Sequence, residues 1–138
     1  MWLLLMSYFI PIFAVITYME NRKTIVQKLK RQEVDTYQCA QRYYSVLSAI
    51  NDLFLTQREL QLVAFTAIKG NISYKNIRDE FCEKYKSSAP TINNLISKLK
   101  KLGVFVKDGS KVKVNPQISL NFENNIVLQI TINPSENG

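Results

Sequence analysis

Between Thr56 and Gly103 apolar residues recur every three or four positions in three successive stretches, and they then gather into two short β-branched runs. The first spacing belongs to helices with one buried face, the second to strands. Leu60, Val63, Ala64 and Ile68 mark the first helix. Thr56-Gln57-Arg58-Glu59 opens it as a capping box, the threonine oxygen taking one orphan backbone N–H and the glutamate another. Gly70 closes it as a left-handed cap. Ile77, Phe81 and Tyr85 form the buried side of a second helix, with Ser73 as its expected N-cap and Lys75, Arg78 and Lys84 turned toward water. A third helix starts around Ser88-Ala89-Pro90, carries the stripe Ile92, Leu95, Ile96, Leu99 and Leu102, and ends at Gly103. Val104-Phe105-Val106 and Val112-Lys113-Val114 flank Lys107-Asp108-Gly109-Ser110, which predicts a β-hairpin.

The flanks are organised differently. Val34 to Phe54 predicts one amphipathic helix with Asp35 as N-cap and Tyr37, Ala40, Tyr44, Leu47, Ile50 and Leu53 near one face. Helix-spaced aromatics belong to a core, so Tyr37, Tyr43 and Tyr44 are expected there; stacking on bases or on a partner protein is the competing use. Asn125 to Ile132 is a strand by composition, and a strand needs a neighbour for its ladder. Residues 2–19 carry no charge and are followed by Asn21-Arg22-Lys23, so they fit a membrane anchor with the remainder inside the cell. They also fit the first strand of an N-terminal hairpin: Pro11 interrupts a helix, Met19 to Lys23 make a polar turn, and Thr24 to Leu29 return. Such a hairpin would pair with the C-terminal strand. A start at Met6 would leave the apolar run too short to span a bilayer. The resulting division is a hairpin or anchor over 1–33, a connecting helix over 34–55, the helices and hairpin over 56–116, and a strand and tail over 117–138. The expected fold class is α+β.

Charge changes the picture from fold to partner. Residues 69–113 hold eleven Lys or Arg against four carboxylates, a net of +7, which equals the formal charge of the whole 138-residue chain. The excess is therefore concentrated from the end of the first helix through the hairpin, as a surface that tracks phosphates requires. The solvated lysine-rich surface of a low-GC coding bias is the bland counterpart. Catalysis finds little support. The chain has no histidine, which removes Ser-His and Cys-His nucleophiles and every His-containing zinc site. Cys39 and Cys82 lack CxxC spacing and are expected as free thiols, and the four glycines build neither a P-loop nor a dinucleotide motif. Asp79, Glu80 and Glu83 sit on a lysine-rich helix and read as a solvated face. No enzyme activity, cofactor or metal is expected.

Three capped helices followed by a basic hairpin resemble the winged helix-turn-helix superfamily over about 60 of the 138 residues. The most telling segment runs from Thr91-Ile92-Asn93-Asn94 through Ser97-Lys98 to Gly103-Val104-Phe105, which looks like a recognition helix and the first wing strand. The exit Val112-Lys113-Val114-Asn115-Pro116 is similar to the wing ending of some plasmid replication initiators and small phage proteins. The resemblance implies that the third helix enters the major groove and the wing touches the backbone. It makes Thr91, Asn93, Asn94, Ser97, Lys98, Lys101, Lys107, Lys111 and Lys113 the expected nucleic-acid contacts, the asparagines on base edges and the lysines on phosphate. The implied function is a non-enzymatic DNA-binding regulator of transcription or replication, of phage or mobile-element type, in the host cytoplasm and with a homodimer as one assembly state. The alternative is a virion or neck-type assembly protein that uses the same fold to bind protein. Membrane attachment goes with the anchor reading of residues 2–19.

Overall fold

The computed structural model describes residues 35–124 and 126–131. The N-terminal hairpin and the membrane anchor over 2–19 lie outside these residues. The described chain is α+β: α1 (Thr36–Ile50), α2 (Gln57–Lys69), α3 (Lys75–Tyr85), α4 (Ala89–Lys101), then β1 (Phe105–Asp108) and β2 (Lys111–Val114) as an antiparallel pair. Among the described residues no helix is long and apolar enough to cross a membrane.

Local chemistry accounts for most boundaries. Asp35 Oδ1 accepts from the Gln38 N–H at 2.8 Å and starts α1. The helix stops at Ile50, short of the expected Phe54. Asn51 turns its backbone N–H and its Nδ2 onto the Leu47 carbonyl, and Asp52 and Phe54 take positive φ of 52° each. The Thr56–Glu59 capping box is complete on α2, and Gly70 closes that helix at φ +92°. The expected Ser73 cap is a correction: Tyr74 occupies the cap position of α3 without a side-chain bond, while Ser73 Oγ accepts from the Val112 N–H at 2.5 Å. The hydroxyl is worth more to the hairpin, whose buried N–H would otherwise lack a partner. Ser88 caps α4, and Gly103 turns the chain out of it at φ +76°.

The hairpin turn is tighter than the four residues expected. Asp108 pairs with Lys111 across Gly109-Ser110, and only Gly109 has positive φ, as a type II′ turn needs at its first central position. Phe105, Val112 and Val114 bury the root of the hairpin. A third strip of backbone joins it: the Ile72 N–H donates to the Val112 carbonyl at 2.9 Å, so the segment between α2 and α3 runs along β2.

Phe65, at the centre of the core, meets Phe81 edge-on at 5.3 Å between ring centroids and stacks on Tyr37 at 5.8 Å. Leu62, Val63, Ile72, Ile92 and Leu99 fill in around it with no exposed surface. After β2 the chain returns to α1, where Tyr44 donates its hydroxyl to the Ile118 carbonyl at 3.0 Å and Phe122 packs on Tyr43 and Tyr44. Burial pushes both tyrosine hydroxyls above their ordinary pKa. The expected C-terminal strand is absent over residues 126–131. No other strand edge reaches that segment among the described residues, and Val127, Leu128 and Ile130 remain exposed.

Candidate nucleic-acid interface

Helix α4 buries Ile92, Ile96 and Leu99 and half-buries Leu95, leaving Leu102 at 39% exposure where the stripe runs off the end. At about 100° per residue, Asn94, Ser97 and Lys101 fall on the centre of the opposite face. Asn93 and Lys100 lie along one margin of that face, Thr91 and Lys98 along the other. All seven side chains are exposed, and the helix contains no carboxylate. Lys98, Lys100 and Lys101 in the last turn complement the negative end of the helix dipole.

Both margins are tied to neighbouring helices. Lys98 Nζ lies 2.5 Å from Glu59 Oε1, and the Glu59 side chain is only 4% exposed. The other oxygen, Oε2, accepts from the Thr56 N–H at 2.8 Å. Glu59 therefore closes the capping box of α2 and brings a nearly buried negative charge that needs a cation, which Lys98 supplies. On the opposite margin Arg78 of α3 donates from Nη1 to Asn93 Oδ1 at 3.0 Å and from Nε to the Ile72 carbonyl at 2.8 Å. Arg78 is thus half-buried and engaged, rather than turned to water as the sequence suggested. Lys84 is exposed, as expected, with its Nζ over the Tyr37 ring at 4.1 Å.

Hydroxyls on α4 are partly occupied. Ser97 Oγ donates to the Asn93 backbone carbonyl at 3.1 Å, and the Thr91 and Ser88 hydroxyls hydrogen-bond to each other at 2.8 Å. On the hairpin, Lys113 Nζ pairs with Asp108 at 2.6 Å, which holds the Asp108 carboxyl below the ordinary aspartate pKa. Lys107 and Lys111 are exposed near the tip. The nine expected contacts therefore divide. Asn94, Lys101, Lys107 and Lys111 are exposed with no hydrogen bond or ion pair among the described residues; Thr91, Asn93, Ser97, Lys98 and Lys113 each have an intramolecular partner.

Two residues join the set. Lys100 is exposed beside Lys101 and was legible from helical spacing. Arg78 is fifteen positions from Asn93, and no local pattern signals their contact.

Elsewhere, a groove of about 420 Å³ between α1, α2 and the Ser119–Glu123 segment contains one titratable side chain, Glu123. Among the described residues no cluster of His, Cys, Asp or Glu has the makings of a metal site, and both cysteines are free thiols. No family model, curated protein or solved structure matches this chain.

Proposed function

We propose that residues 56–116 form a winged helix-turn-helix that binds duplex DNA without catalysing a reaction, in the manner of a small regulator. The order α2, α3, α4, hairpin supports the fold, as does the Ile72 backbone running along β2 beside the hairpin. The turn between α3 and α4 is short, with Lys86 in the left-handed conformation at φ +50°.

One observation carries the function: the outward face of α4 and the hairpin that follows it are rich in exposed donors and lysines. From Thr91 to Lys113 six lysines face a single carboxylate, Asp108, and that one is neutralised by Lys113. In this reading Asn94 and Ser97 meet base edges, Lys100 and Lys101 meet phosphates beside the groove, and Lys107 and Lys111 hold the adjacent backbone. Lys98 serves the protein interior instead.

The test is a duplex-DNA titration over a range of salt, comparing the native chain with a Lys100/Lys101/Lys107/Lys111→Ala variant that leaves Lys98 in place. Affinity is expected to fall with salt, and removing four phosphate contacts should make the log–log slope shallower by about 3 to 4. An unchanged slope would remove these lysines from the interface. The competing assembly reading draws on Val127, Leu128 and Ile130, exposed on a segment whose backbone has no partner among the described residues. Failure to bind DNA even at low salt would transfer the weight to it.

A further inference from the structure

Two side chains decide what the margin of α4 nearest α3 can read. Arg78 is committed at Nε to the Ile72 carbonyl and at Nη1 to Asn93 Oδ1. A guanidinium can only donate, so the Asn93 amide has one compatible orientation: oxygen toward Arg78, NH₂ away from it. Asn93 is exposed, and the nearby Ser97 hydroxyl proton is already spent on the Asn93 backbone carbonyl. The Arg78–Asn93 pair therefore leaves only N–H donors uncommitted: the amide NH₂ of the exposed Asn93 and the remaining guanidinium N–H groups.

Base edges in the major groove differ in how they answer such a set. Guanine presents two adjacent acceptors, N7 and O6. Adenine presents one acceptor and one donor, and an asparagine reads it with oxygen and nitrogen side by side. That bidentate contact needs an amide oxygen facing the base, and in Asn93 the oxygen faces Arg78. Resting on the DNA-binding reading above, we infer that Arg78 is a specificity-determining residue which locks Asn93 as a donor, so that this margin of α4 selects guanine over adenine.

The test selects bound duplexes from a pool with a randomised core at low salt and sequences them, for the native chain, Asn93→Asp and Arg78→Leu. Asn93→Asp retains a partner for the guanidinium, so folding is kept, and it removes both outward amide donors. The native chain should enrich guanine at one position by roughly tenfold over adenine. Asn93→Asp should abolish that enrichment. Arg78→Leu, which frees the amide oxygen, should shift the same position toward adenine; should its loss of the Ile72 contact prevent folding, the aspartate variant alone decides. Guanine enrichment that survives Asn93→Asp, or adenine at the Asn93-dependent position of the native chain, overturns the inference. Salt-sensitive binding with no base preference also overturns it and leaves the DNA-binding reading standing, whereas no binding at all overturns both.

Discussion

Where α1 meets the segment after β2, Tyr43, Tyr44 and Phe122 bring their rings to within 5.0, 5.5 and 5.7 Å of one another; along α4 and the hairpin the outward residues are mainly amides, hydroxyls and lysines, with Asp108 the one carboxylate. Both regions are rich in long side chains with a polar tip. In the first the body of the side chain does the packing and the tip is taken up internally, as Tyr44 shows by donating to the Ile118 carbonyl. In the second the tips project, and the question for each is whether the protein has already used it. Lys98 and Lys113 have carboxylate partners, while Lys100, Lys101, Lys107 and Lys111 have none among the described residues. A lysine count taken along the sequence thus overstates the charge this face offers a ligand, and it hides which lysines hold the structure together.

The largest effect is expected from breaking the aromatic region. Phe122, 7% exposed, packs on both tyrosines, so Phe122→Ala should lower the unfolding free energy by about 3 kcal/mol through lost burial and a residual cavity. Urea denaturation measures this. A cost below about 1 kcal/mol, the range of a surface change, would show that the returning segment adds little to the packed unit.

A smaller effect sharpens the contrast within the basic region. Lys98→Ala leaves the Glu59 carboxylate nearly buried without its cation and should cost about 2 kcal/mol, below the value for a fully buried pair because Lys98 itself is half-exposed. Lys101→Ala should stay within about 0.5 kcal/mol. Equal destabilisation by the two substitutions in parallel denaturation curves would mean that Glu59 finds its compensation elsewhere.

The smallest effect concerns acid. Asp108 has a depressed folded pKa, chiefly from its hydrogen bond with Lys113, so its stabilising contribution is complete above the ordinary aspartate value and is lost as pH falls through the folded pKa. Full exposure keeps that contribution slight. Carboxyl titration by NMR should place Asp108 below an ordinary aspartate and return it toward normal in Lys113→Ala; an ordinary value in the native chain would dissolve the pair.

Much of this was legible along the chain. Thr56, Glu59, Gly70, Ser88 and Gly103 punctuate helices through bonds or conformations that span a few residues, so local chemistry suffices to place them. Gly109 marks the hairpin for the same reason. The misjudged residues are those with a rival partner at long range. Ser73 is a good cap by type, yet it serves Val112, thirty-nine positions away. Arg78 reads as turned to water and Lys98 as a phosphate contact until α4 and α2 bring up Asn93 and Glu59. The strand propensity of residues 126–131 also goes unanswered among the described residues, because a strand exists only where another edge meets it.

Read along the chain alone, the residues place most helix boundaries, the apolar face of α4, and the gathering of positive charge between residues 69 and 113. Periodicity, capping and composition are properties of neighbouring residues, and they survive without knowledge of the fold. Which of those charges are spent is settled by the packing of the helices and the pairing of the hairpin strands. Whether a lysine meets a carboxylate or an arginine meets an amide depends on helices far apart in sequence arriving within about 3 Å, the reach of a hydrogen bond.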